Sequence, residues 1–269
     1  MSGSLQGKAA IVTGAAGGMG RVYAHRLAKL GADVAILDID LNVAKRHGEE
    51  LTAESVEAEI RAMGRRAIGV EADLAKPDAA AGAVQRVIDE FGRLDILVNN
   101  AGGAIAPFDR SAPSQTPQAD IDLMLGANFL SMVYCSQSAI PHLRKTQGAI
   151  VNVSTIGVDM DIQSGKNAMY SAAKAALLRF SRSMAVELGP DGVRVNCIAP
   201  GQIDTARVKA AAAARNLGTP EQAKHIPLRR IGKPEDVAGA LEFLVTDLSA
   251  YVTGECIRVS GGYQLVGPV

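Results

Sequence analysis

The sequence predicts a doubly wound α/β fold, in which a parallel sheet of seven strands is flanked by helices. Short runs rich in β-branched residues alternate with longer helical patterns along the whole chain, which is the order expected of such folds. Several runs are almost continuously apolar, as in strands that are covered on both faces. The predicted strands are Ala9–Thr13, Asp33–Leu37, Ala67–Val70, Leu94–Val98, Ala149–Val153, Val193–Ile198 and Cys256–Val259.

Three predicted helices are each followed by a glycine, which can adopt the left-handed conformation common at helix C-termini. These helices are Arg21–Leu30 before Gly31, Val56–Met63 before Gly64, and Ala79–Phe91 before Gly92. The run Ala210–Ala214 is also predicted to be helical, because alanine has the highest helix propensity. Since the sequence contains no internal repeat and no linker, residues 1–269 are expected to form a single domain.

Composition and charge exclude several classes of protein. Hydrophobic residues make up 48% of the chain and charged residues 21%, which is typical of globular proteins and excludes disorder, coiled coils and collagen-like repeats. The 28 Lys and Arg residues balance the 28 Asp and Glu residues, so nucleic acid and membranes are unexpected partners. The polar segment Met1–Lys8 and the absence of a long apolar stretch predict a cytoplasmic protein.

The three cysteines are expected to be unreactive. Cys135, Cys197 and Cys256 show no C-x-x-C spacing, and each lies in an apolar stretch of sequence. A buried free thiol is favoured over a disulfide or a metal ligand in such a context. No metal site is predicted.

A glycine-rich turn follows the first predicted strand, with the sequence Thr13-Gly-Ala-Ala-Gly-Gly-Met-Gly20, and a helix is predicted to begin near Arg21. Glycines let backbone amides approach a pyrophosphate closely, and the helix N-terminus provides unpaired N–H groups and a favourable dipole. The turn therefore predicts a dinucleotide site of the Rossmann type. Taken alone, it is also compatible with a simple connection between strand and helix.

Asp38 follows the second predicted strand, at the spacing from the glycines where an acidic side chain reaches the adenosine ribose. A carboxylate accepts hydrogen bonds from both ribose hydroxyls but repels a 2′-phosphate, and neither Gly17 nor Ile39 offers a cation to bind one. The sequence therefore favours NAD over NADP.

Tyr170 and Lys174 are spaced four residues apart in a predicted helix, so they share one helix face. A phenol, with a reference pKa of about 10, is a weak base near neutrality unless a cation such as Lys174 favours the phenolate. Ser154 follows the predicted strand Ala149–Val153 and could donate a hydrogen bond to a substrate oxygen while Tyr170 transfers the proton. A chance surface pair and a helix-capping serine are the alternatives.

Along essentially its whole length, the chain resembles the short-chain dehydrogenase/reductase family. The matching residues are Thr13-Gly14-x-x-x-Gly18-x-Gly20, Asp73-Leu74, Asn99-Asn100-Ala101-Gly102, Asn128, Ser154, Tyr170-x-x-x-Lys174 and Pro200-Gly201. The resemblance implies a catalytic tetrad of Asn128, Ser154, Tyr170 and Lys174. In that family the tyrosine exchanges a proton with the substrate oxygen, the serine holds that oxygen, the lysine binds the nicotinamide ribose, and the asparagine anchors a water in a proton relay.

The same resemblance implies a complete set of cofactor contacts and an oligomer, usually a tetramer. Asp73 and Leu74 would hold the adenine, and residues 100–102 would line the cofactor channel. The full set of predicted cofactor-binding residues is Gly14, Gly17, Gly18, Met19, Gly20, Asp38, Ile39, Asp73, Leu74, Asn100, Ala101, Gly102, Tyr170, Lys174, Pro200, Gly201, Ile203 and Thr205.

Three features depart from the family pattern. The gap between Asp38 and Asp73 is longer by roughly ten residues, which places an extra polar segment at Leu41–Ala53. The gap between Ser154 and Tyr170 is about three residues longer, and Ser260 stands where aspartate is frequent. The extra segment is expected on the adenosine side, without an assigned role.

The substrate is expected between the loops at residues 103–118, 157–169 and 202–227, the last including a predicted mobile lid from Thr205 to Pro227. Besides Ser154 and Tyr170, the predicted substrate contacts are Ile105, Val158, Gln163 and Gln202. Their mainly apolar character suits an apolar or cyclic secondary alcohol or ketone, although these residues could equally be packing. A 3-oxoacyl thioester reductase is the first alternative, disfavoured by Asp38 because such enzymes usually need NADPH. A non-catalytic nucleotide-sensing protein is the second, disfavoured by the intact tetrad.

Overall fold

The computed structural model describes residues 5–160, 164–206, 208 and 219–266. Within them, seven strands form one parallel sheet in the order β3-β2-β1-β4-β5-β6-β7, which confirms the predicted fold class. The strands are β1 Ala9–Thr13, β2 Asp33–Asp38, β3 Ala67–Glu71, β4 Ile96–Asn99, β5 Ala149–Val153, β6 Arg194–Pro200 and β7 Cys256–Val259.

The predicted start of β4 at Leu94 is wrong, because the strand begins at Ile96. The Asp95 carboxylate accepts a hydrogen bond from the Ala9 amide at 2.9 Å, so this residue connects the two strands through its side chain before the ladder begins. Four strands end later than predicted: β2 at Asp38, β3 at Glu71, β4 at Asn99 and β6 at Pro200. These extensions carry residues of the candidate site to the carboxyl edge of the sheet.

The helices of the described residues are α1 Gly18–Lys29, α2 Val43–Arg46, α3 Val56–Ala62, α4 Pro77–Phe91, α5 Gln118–Leu125, α6 Ser131–Thr146, α7 Ala168–Leu188, α8 Pro220–His225 and α9 Pro234–Val245. Gly31, Gly64 and Gly92 all have positive φ, as predicted from their places after helices. The start predicted for α1 near Arg21 is wrong, because the glycine turn itself forms the first helical residues. Ala210–Ala214 lies outside the described residues.

The sheet has an apolar layer on each face, and side chains from successive strand residues enter opposite layers. Val12 and Val98 pack in the layer that includes α1 and α9, with Leu241 of α9 beside them. Ile11 and Leu97 pack in the layer that includes α4, α6 and α7. This two-sided burial explains why the strands read as continuous apolar runs.

The cysteines lie in or near this core. Burial raises the pKa of both the Cys135 and the Cys197 thiol to about 12, and burial also raises the pKa of the half-buried Cys256. All three thiols therefore stay protonated near neutral pH, as predicted for unreactive cysteines.

One helical run of the described residues, Gln118–Thr146, is long and apolar enough to cross a membrane by length and composition. Its residues Met132, Cys135, Ala139 and Leu143 are buried in the core. Packing against the sheet accounts for its apolar composition.

A chain of buried polar side chains crosses the middle of the sheet. Asn99 donates through Nδ2 to Ser136 Oγ at 3.0 Å and to Asn152 Oδ1 at 2.8 Å. Asn152 donates in turn to Ser181 Oγ at 2.8 Å. Because all four residues are buried, each hydrogen bond replaces one that water would otherwise make.

We expect Asn152→Ala to lower the free energy of unfolding by about 2 kcal/mol, because it leaves a buried Asn99 N–H without its partner. Ser183→Ala, on the exposed side of α7, is the control and should stay within about 0.5 kcal/mol of the parent. Urea unfolding followed by circular dichroism measures both. Equal effects of the two substitutions would contradict a stabilising role for the buried chain.

Candidate active site

The strand order reverses between β1 and β4, which is where open α/β sheets form a crevice for ligands. Thr13, at the end of β1, binds the segment after β4, because its Oγ1 accepts hydrogen bonds from the Asn100 and Ala101 amides at 3.0 Å. Asn100 Nδ2 donates to the carbonyls of Thr13 and Gly14, also at 3.0 Å. The segment after β4 therefore forms one rigid unit with the turn after β1.

The glycines of the turn are required by close backbone contacts. A Cβ at Gly20 would lie 2.1 Å from the Gly14 carbonyl oxygen, and a Cβ at Gly14 would lie 2.8 Å from Ala101 Cα. Gly14 and Gly18 also have φ values of +61° and +58°, which side chains rarely tolerate. α1 then begins with no acidic residue in its first turn. The Gly18 amide donates to Glu49 at 2.7 Å, so the amides of Met19 and Gly20 are the ones that suit a pyrophosphate.

Asp38 lies at the carboxyl end of β2 and is oriented by the same turn. Its Oδ2 accepts a hydrogen bond from the Ala16 amide at 3.0 Å, and its Oδ1 accepts one from the Ile39 amide at 2.8 Å. The carboxylate is 8% exposed, whereas the neighbouring Ile39 is 66% exposed. The structure thus brings Asp38 and the glycine turn together, as the sequence predicted.

Asp73 and Leu74 follow β3 and differ in environment. The Asp73 carboxylate accepts a hydrogen bond from the Ala75 amide at 3.0 Å, which shapes the turn before α4. The Leu74 side chain is buried in the core, so its side chain serves packing.

Ser154 and Lys174 meet at the carboxyl end of β5. Ser154 is buried, and its Oγ donates to the Lys174 carbonyl at 3.4 Å. The Lys174 ammonium is also buried and donates to the Val153 carbonyl at 2.8 Å. Tyr170 lies one turn earlier on α7, on the helix face that carries Lys174.

Asn128 lies in a π-helical turn, Gly126–Leu130, between α5 and α6. Its Oδ1 accepts a hydrogen bond from the Gly103 amide at 2.7 Å, and its Nδ2 donates to the carbonyls of Gly103 and Met124 at 3.1 Å. A Cβ at Gly102 would lie 2.5 Å from Asn128 Oδ1. Single π turns often occur at functional sites, and this one packs against α7.

A shallow pocket beside Tyr170 is lined mostly by small or apolar residues. Its lining residues are Ala104, Ala106, Ser111, Thr116, Met124, Asn167, Met169 and Tyr170. Of the predicted substrate contacts, Ile105 lies in the same loop but is largely exposed, and Val158 is half-buried. Gln163 lies outside the described residues. The pocket residue Met124 was missed, because only tertiary packing brings α5 to this loop, whereas Asn167 lies within the predicted substrate loop at residues 157–169.

Gln202 does not line the pocket beside Tyr170 but a second cavity. This cavity, of about 310 Å³, lies between the ends of β6 and β7 and also includes Ile203 and Ser260. Gly201 is held close to β7, since a Cβ there would lie 2.8 Å from Ser260 Cα. Pro200 is the last residue of β6, and Thr205 Oγ1 accepts a hydrogen bond from the Val208 amide at 3.2 Å. The Asp204 amide donates to the Gly232 carbonyl at 2.8 Å, so the chain is held in place just before the predicted lid.

The longer segment after Ser154 is fixed to the last strand. Asp159 pairs with Arg258 of β7 at 2.6 Å. The hydrogen bond from Arg258 lowers the pKa of the Asp159 carboxyl, so this pair is ionised at neutral pH. Lys166, further along the segment, lies 4.7 Å from the centre of the Phe108 ring, which connects this segment to the loop before α5.

The extra segment after Asp38 is fixed to α1 by a cluster of charged residues that sequence reasoning missed. Arg21 binds Glu59 through two nitrogens at 2.9 and 2.7 Å and reaches Glu49 at 3.3 Å. Thr52 donates two hydrogen bonds to Glu59, at 2.7 and 2.9 Å, and His25 Nε2 lies 2.9 Å from it. No local pattern shows such contacts, because the partners are far apart in sequence.

Two pKa values in this cluster are shifted. Burial opposes the ionisation of Glu59, but hydrogen bonds from Arg21 and Thr52 outweigh it and lower the pKa of that carboxyl to about 2. Burial also lowers the pKa of His25, against the opposing effect of Glu59. At neutral pH the carboxylate is therefore charged and the imidazole neutral.

The chain is similar to known proteins along nearly its whole length. Residues 14–264 match a family model described as Enoyl-(Acyl carrier protein) reductase. The cyclohexanol dehydrogenase of Rhodococcus sp. (strain TK6) is 42% identical over 262 residues, which cover 96% of both chains. The chain belongs to the short-chain dehydrogenase/reductase family.

Solved structures of this family have the same fold. A 7α-hydroxysteroid dehydrogenase complexed with NADH and 7-oxo glycochenodeoxycholic acid is 33% identical with a TM-score of 0.83, and the match covers 96% of this chain and 94% of that one. A short chain dehydrogenase from Burkholderia cenocepacia J2315 in complex with NADP is 35% identical with a TM-score of 0.83, covering 97% and 99%. This short-chain dehydrogenase/reductase is thus an oxidoreductase of the alcohol dehydrogenase type that uses a nicotinamide cofactor and acts on a small molecule.

Gly20→Ala is expected to weaken NADH binding at least about tenfold, because the new methyl group would overlap backbone atoms of the turn that no rotamer change can move. Gly82→Ala, at an exposed position of α4 with open space around it, is the matched control. Fluorescence titration with NADH measures both dissociation constants. Unchanged affinity in Gly20→Ala would show that this turn does not hold the cofactor.

Glu59→Gln is expected to lower the free energy of unfolding at pH 7 by about 3 kcal/mol, because it removes the nearer of the two carboxylates that pair with the largely buried Arg21. The folded pKa of Glu59 lies below its ordinary value of 4.5. Its stabilisation is therefore complete above about pH 4.5 and is lost as the pH falls towards 2.

Denaturant unfolding of parent and variant between pH 7 and pH 3 tests this expectation, and the difference should shrink at the acidic end. Glu242→Gln, which removes a more exposed partner of Arg26, should cost at most about 1 kcal/mol. A difference for Glu59→Gln that does not depend on pH would contradict the assignment.

Proposed function

We propose that this oxidoreductase transfers a hydride between NAD(H) and an apolar or cyclic secondary alcohol or its ketone. The observation that carries the proposal is the contact of Ser154 with Lys174 at the carboxyl end of β5, one helical turn from Tyr170. The Ser154 hydroxyl donates to the Lys174 carbonyl and the Lys174 ammonium donates to the Val153 carbonyl. The hydroxyl and the cation therefore both lie at the end of β5, beside the helix that carries Tyr170. The proposal is that one domain carries both the cofactor and the substrate.

The four residues of the proposed tetrad have distinct roles. Ser154 donates a hydrogen bond to the substrate oxygen, and Tyr170 takes the hydroxyl proton during oxidation or returns it during reduction. Lys174 favours the phenolate form of Tyr170 by its charge and binds the nicotinamide ribose. Asn128, held by Gly103 and Met124, positions a water that relays the proton. The nicotinamide supplies the carbon that accepts or donates the hydride.

Asp38 makes NAD the proposed cofactor. Its buried carboxylate, oriented by the Ala16 amide, would accept hydrogen bonds from the adenosine ribose and repel a 2′-phosphate. The other cofactor contacts predicted from the sequence complete the proposal: residues 14–20 at the pyrophosphate, Asp73 and Leu74 at the adenine, and residues 100–102 along the channel. Pro200, Gly201, Ile203 and Thr205 would hold the nicotinamide end.

The substrate class is inferred from the pocket beside Tyr170. Ala104, Ala106, Met124 and Met169 offer apolar contacts, while Ser111, Thr116 and Asn167 are polar. The pocket itself measures only about 10 Å³, so it would have to widen for a substrate to enter; its apolar lining would then contact the ring of a compact alcohol or ketone. Two relatives support this class, since one is named a cyclohexanol dehydrogenase and the other is complexed with a 7-oxo steroid.

The other functions considered from the sequence are less well supported. A 3-oxoacyl thioester reductase agrees with the description of the matching family model, but Asp38 disfavours the NADPH that such an enzyme would usually need. A non-catalytic nucleotide sensor is disfavoured by the relatives, which are enzymes. A cytoplasmic location and a homotetramer, expected from sequence and family, stay predictions.

The test is a panel of secondary alcohols, from small aliphatic to cyclic, terpenoid, steroid and sugar, offered with NAD⁺ or NADP⁺ while absorbance follows the reduced nicotinamide. We expect turnover of cyclic alcohols with NAD⁺, and a loss of at least about 1000-fold in kcat for Tyr170→Phe, which lacks the hydroxyl that carries the proton. Tyr251→Phe, at a fully exposed position, is the control. Full activity in Tyr170→Phe would overturn the proposed mechanism.

A further inference from the structure

The extra segment after Asp38 places a second carboxylate on the glycine turn. Glu49 Oε1 accepts a hydrogen bond from the Gly18 amide at 2.7 Å, the first amide of α1. A Cβ built at Gly17 would lie 3.1 Å from the same oxygen. Glu49 therefore lies against Gly17 and Gly18, two residues along the turn from the amide of Ala16, which binds Asp38.

The segment that carries Glu49 also fills the space above Gly17. The Ala44 amide donates to the Ala16 carbonyl at 3.0 Å. A Cβ at Gly17 would meet Val43 Cγ1 at 3.0 Å and the Ala44 nitrogen at 3.2 Å. A longer side chain could not be added at position 17 without moving this segment, so the backbone leaves no room there for a cation.

The charge of Glu49 is balanced only in part by Arg21, because Arg21 also pairs with Glu59. Arg21 contacts Glu49 at 3.3 Å but makes its two shorter bonds, at 2.9 and 2.7 Å, with Glu59. Glu49 and Glu59 therefore share one guanidinium, since the lowered pKa of His25 leaves its ring neutral at neutral pH. Arg46 of the same segment is paired with Asp40, and Lys45 is exposed, where water and salt screen its charge.

From this geometry we propose that Glu49 is a second determinant of cofactor specificity, which acts with Asp38 to exclude the 2′-phosphate of NADP. The proposal rests on the proposed function only in taking the crevice beside the glycine turn as the adenosine end of a nicotinamide dinucleotide site. A 2′-phosphate that met Asp38 would also approach the negative charge of Glu49 on the same turn, which Arg21 shares with Glu59 and so balances only in part. NAD carries no charge at that position, and the amides of Met19 and Gly20 still serve its pyrophosphate.

Glu49→Gln tests the proposal, because the amide keeps an oxygen for the Gly18 N–H and removes the charge. The measured quantity is the ratio of the NADPH and NADH dissociation constants, obtained by fluorescence titration of the purified protein. We expect this ratio to fall on the order of tenfold in Glu49→Gln. It should stay unchanged in Glu50→Gln, which removes the same charge from the next, exposed residue. Glu49→Ser repeats the test with a smaller neutral residue if the first variant does not fold.

The outcomes separate this inference from the proposed function. A lower ratio in Glu49→Gln and in Asp38→Asn, with an additive or larger effect in the double variant, supports both. A lower ratio in Asp38→Asn alone overturns the role of Glu49 and leaves the NAD proposal standing. A parent protein that binds NADPH as tightly as NADH overturns the NAD preference itself. An equal fall in Glu50→Gln would show a general charge effect and would also overturn the specific role of Glu49.

Discussion

The rest of the site depends on the hydrogen bonds that hold the end of β1 to the segment after β4. At this point of a parallel sheet the connections leave in opposite directions and open a crevice, yet the two strand ends must stay together. Thr13 and Asn100 hold them with four hydrogen bonds near 3.0 Å. These bonds bring Ala101 Cα to 2.8 Å from the place that a Cβ at Gly14 would occupy. Only glycine therefore fits at this position of the turn.

The positions of Ser154 and Lys174 depend on the same sheet, through β5. β5 is held between its neighbours β4 and β6. Its residue Asn152 donates to Ser181 of α7 and accepts from Asn99, which in turn donates to Ser136 of α6. The Lys174 ammonium can be buried because the Val153 carbonyl accepts one of its hydrogen bonds. A buried charge is costly without such partners, so the cation, the strand end and Ser154 form one arrangement.

Much of the fold and the main lines of the site were predictable from the sequence, because they depend on local patterns. Continuous apolar runs located the strands, and the glycines after helices marked their ends. The spacing of the glycine turn and Asp38 was enough to bring them together, since consecutive parallel strands end at one edge. β4 was misjudged at its start, because Asp95 resembles a strand residue but connects to Ala9 through its side chain.

What the sequence did not reveal depends on contacts between distant residues. Glu49 reaches Gly18 across 31 positions, and no period or motif signals such a contact. The pocket beside Tyr170 draws Met124 and Asn167 from separate elements, whereas Gln202, chosen from the same kind of loop, lines another cavity. Specificity is therefore the part of the function that needs the structure.

The central claim is direct hydride transfer between a cyclic secondary alcohol and NAD. The most direct measurement uses cyclohexanol carrying deuterium on its carbinol carbon, with NAD⁺ and the purified protein, and determines the mass of the reduced nicotinamide formed. The account predicts NADH that contains one deuterium, because the hydride passes from the substrate carbon without exchange with water. NADH without deuterium, or no reduced nicotinamide although NADH binds, would contradict it.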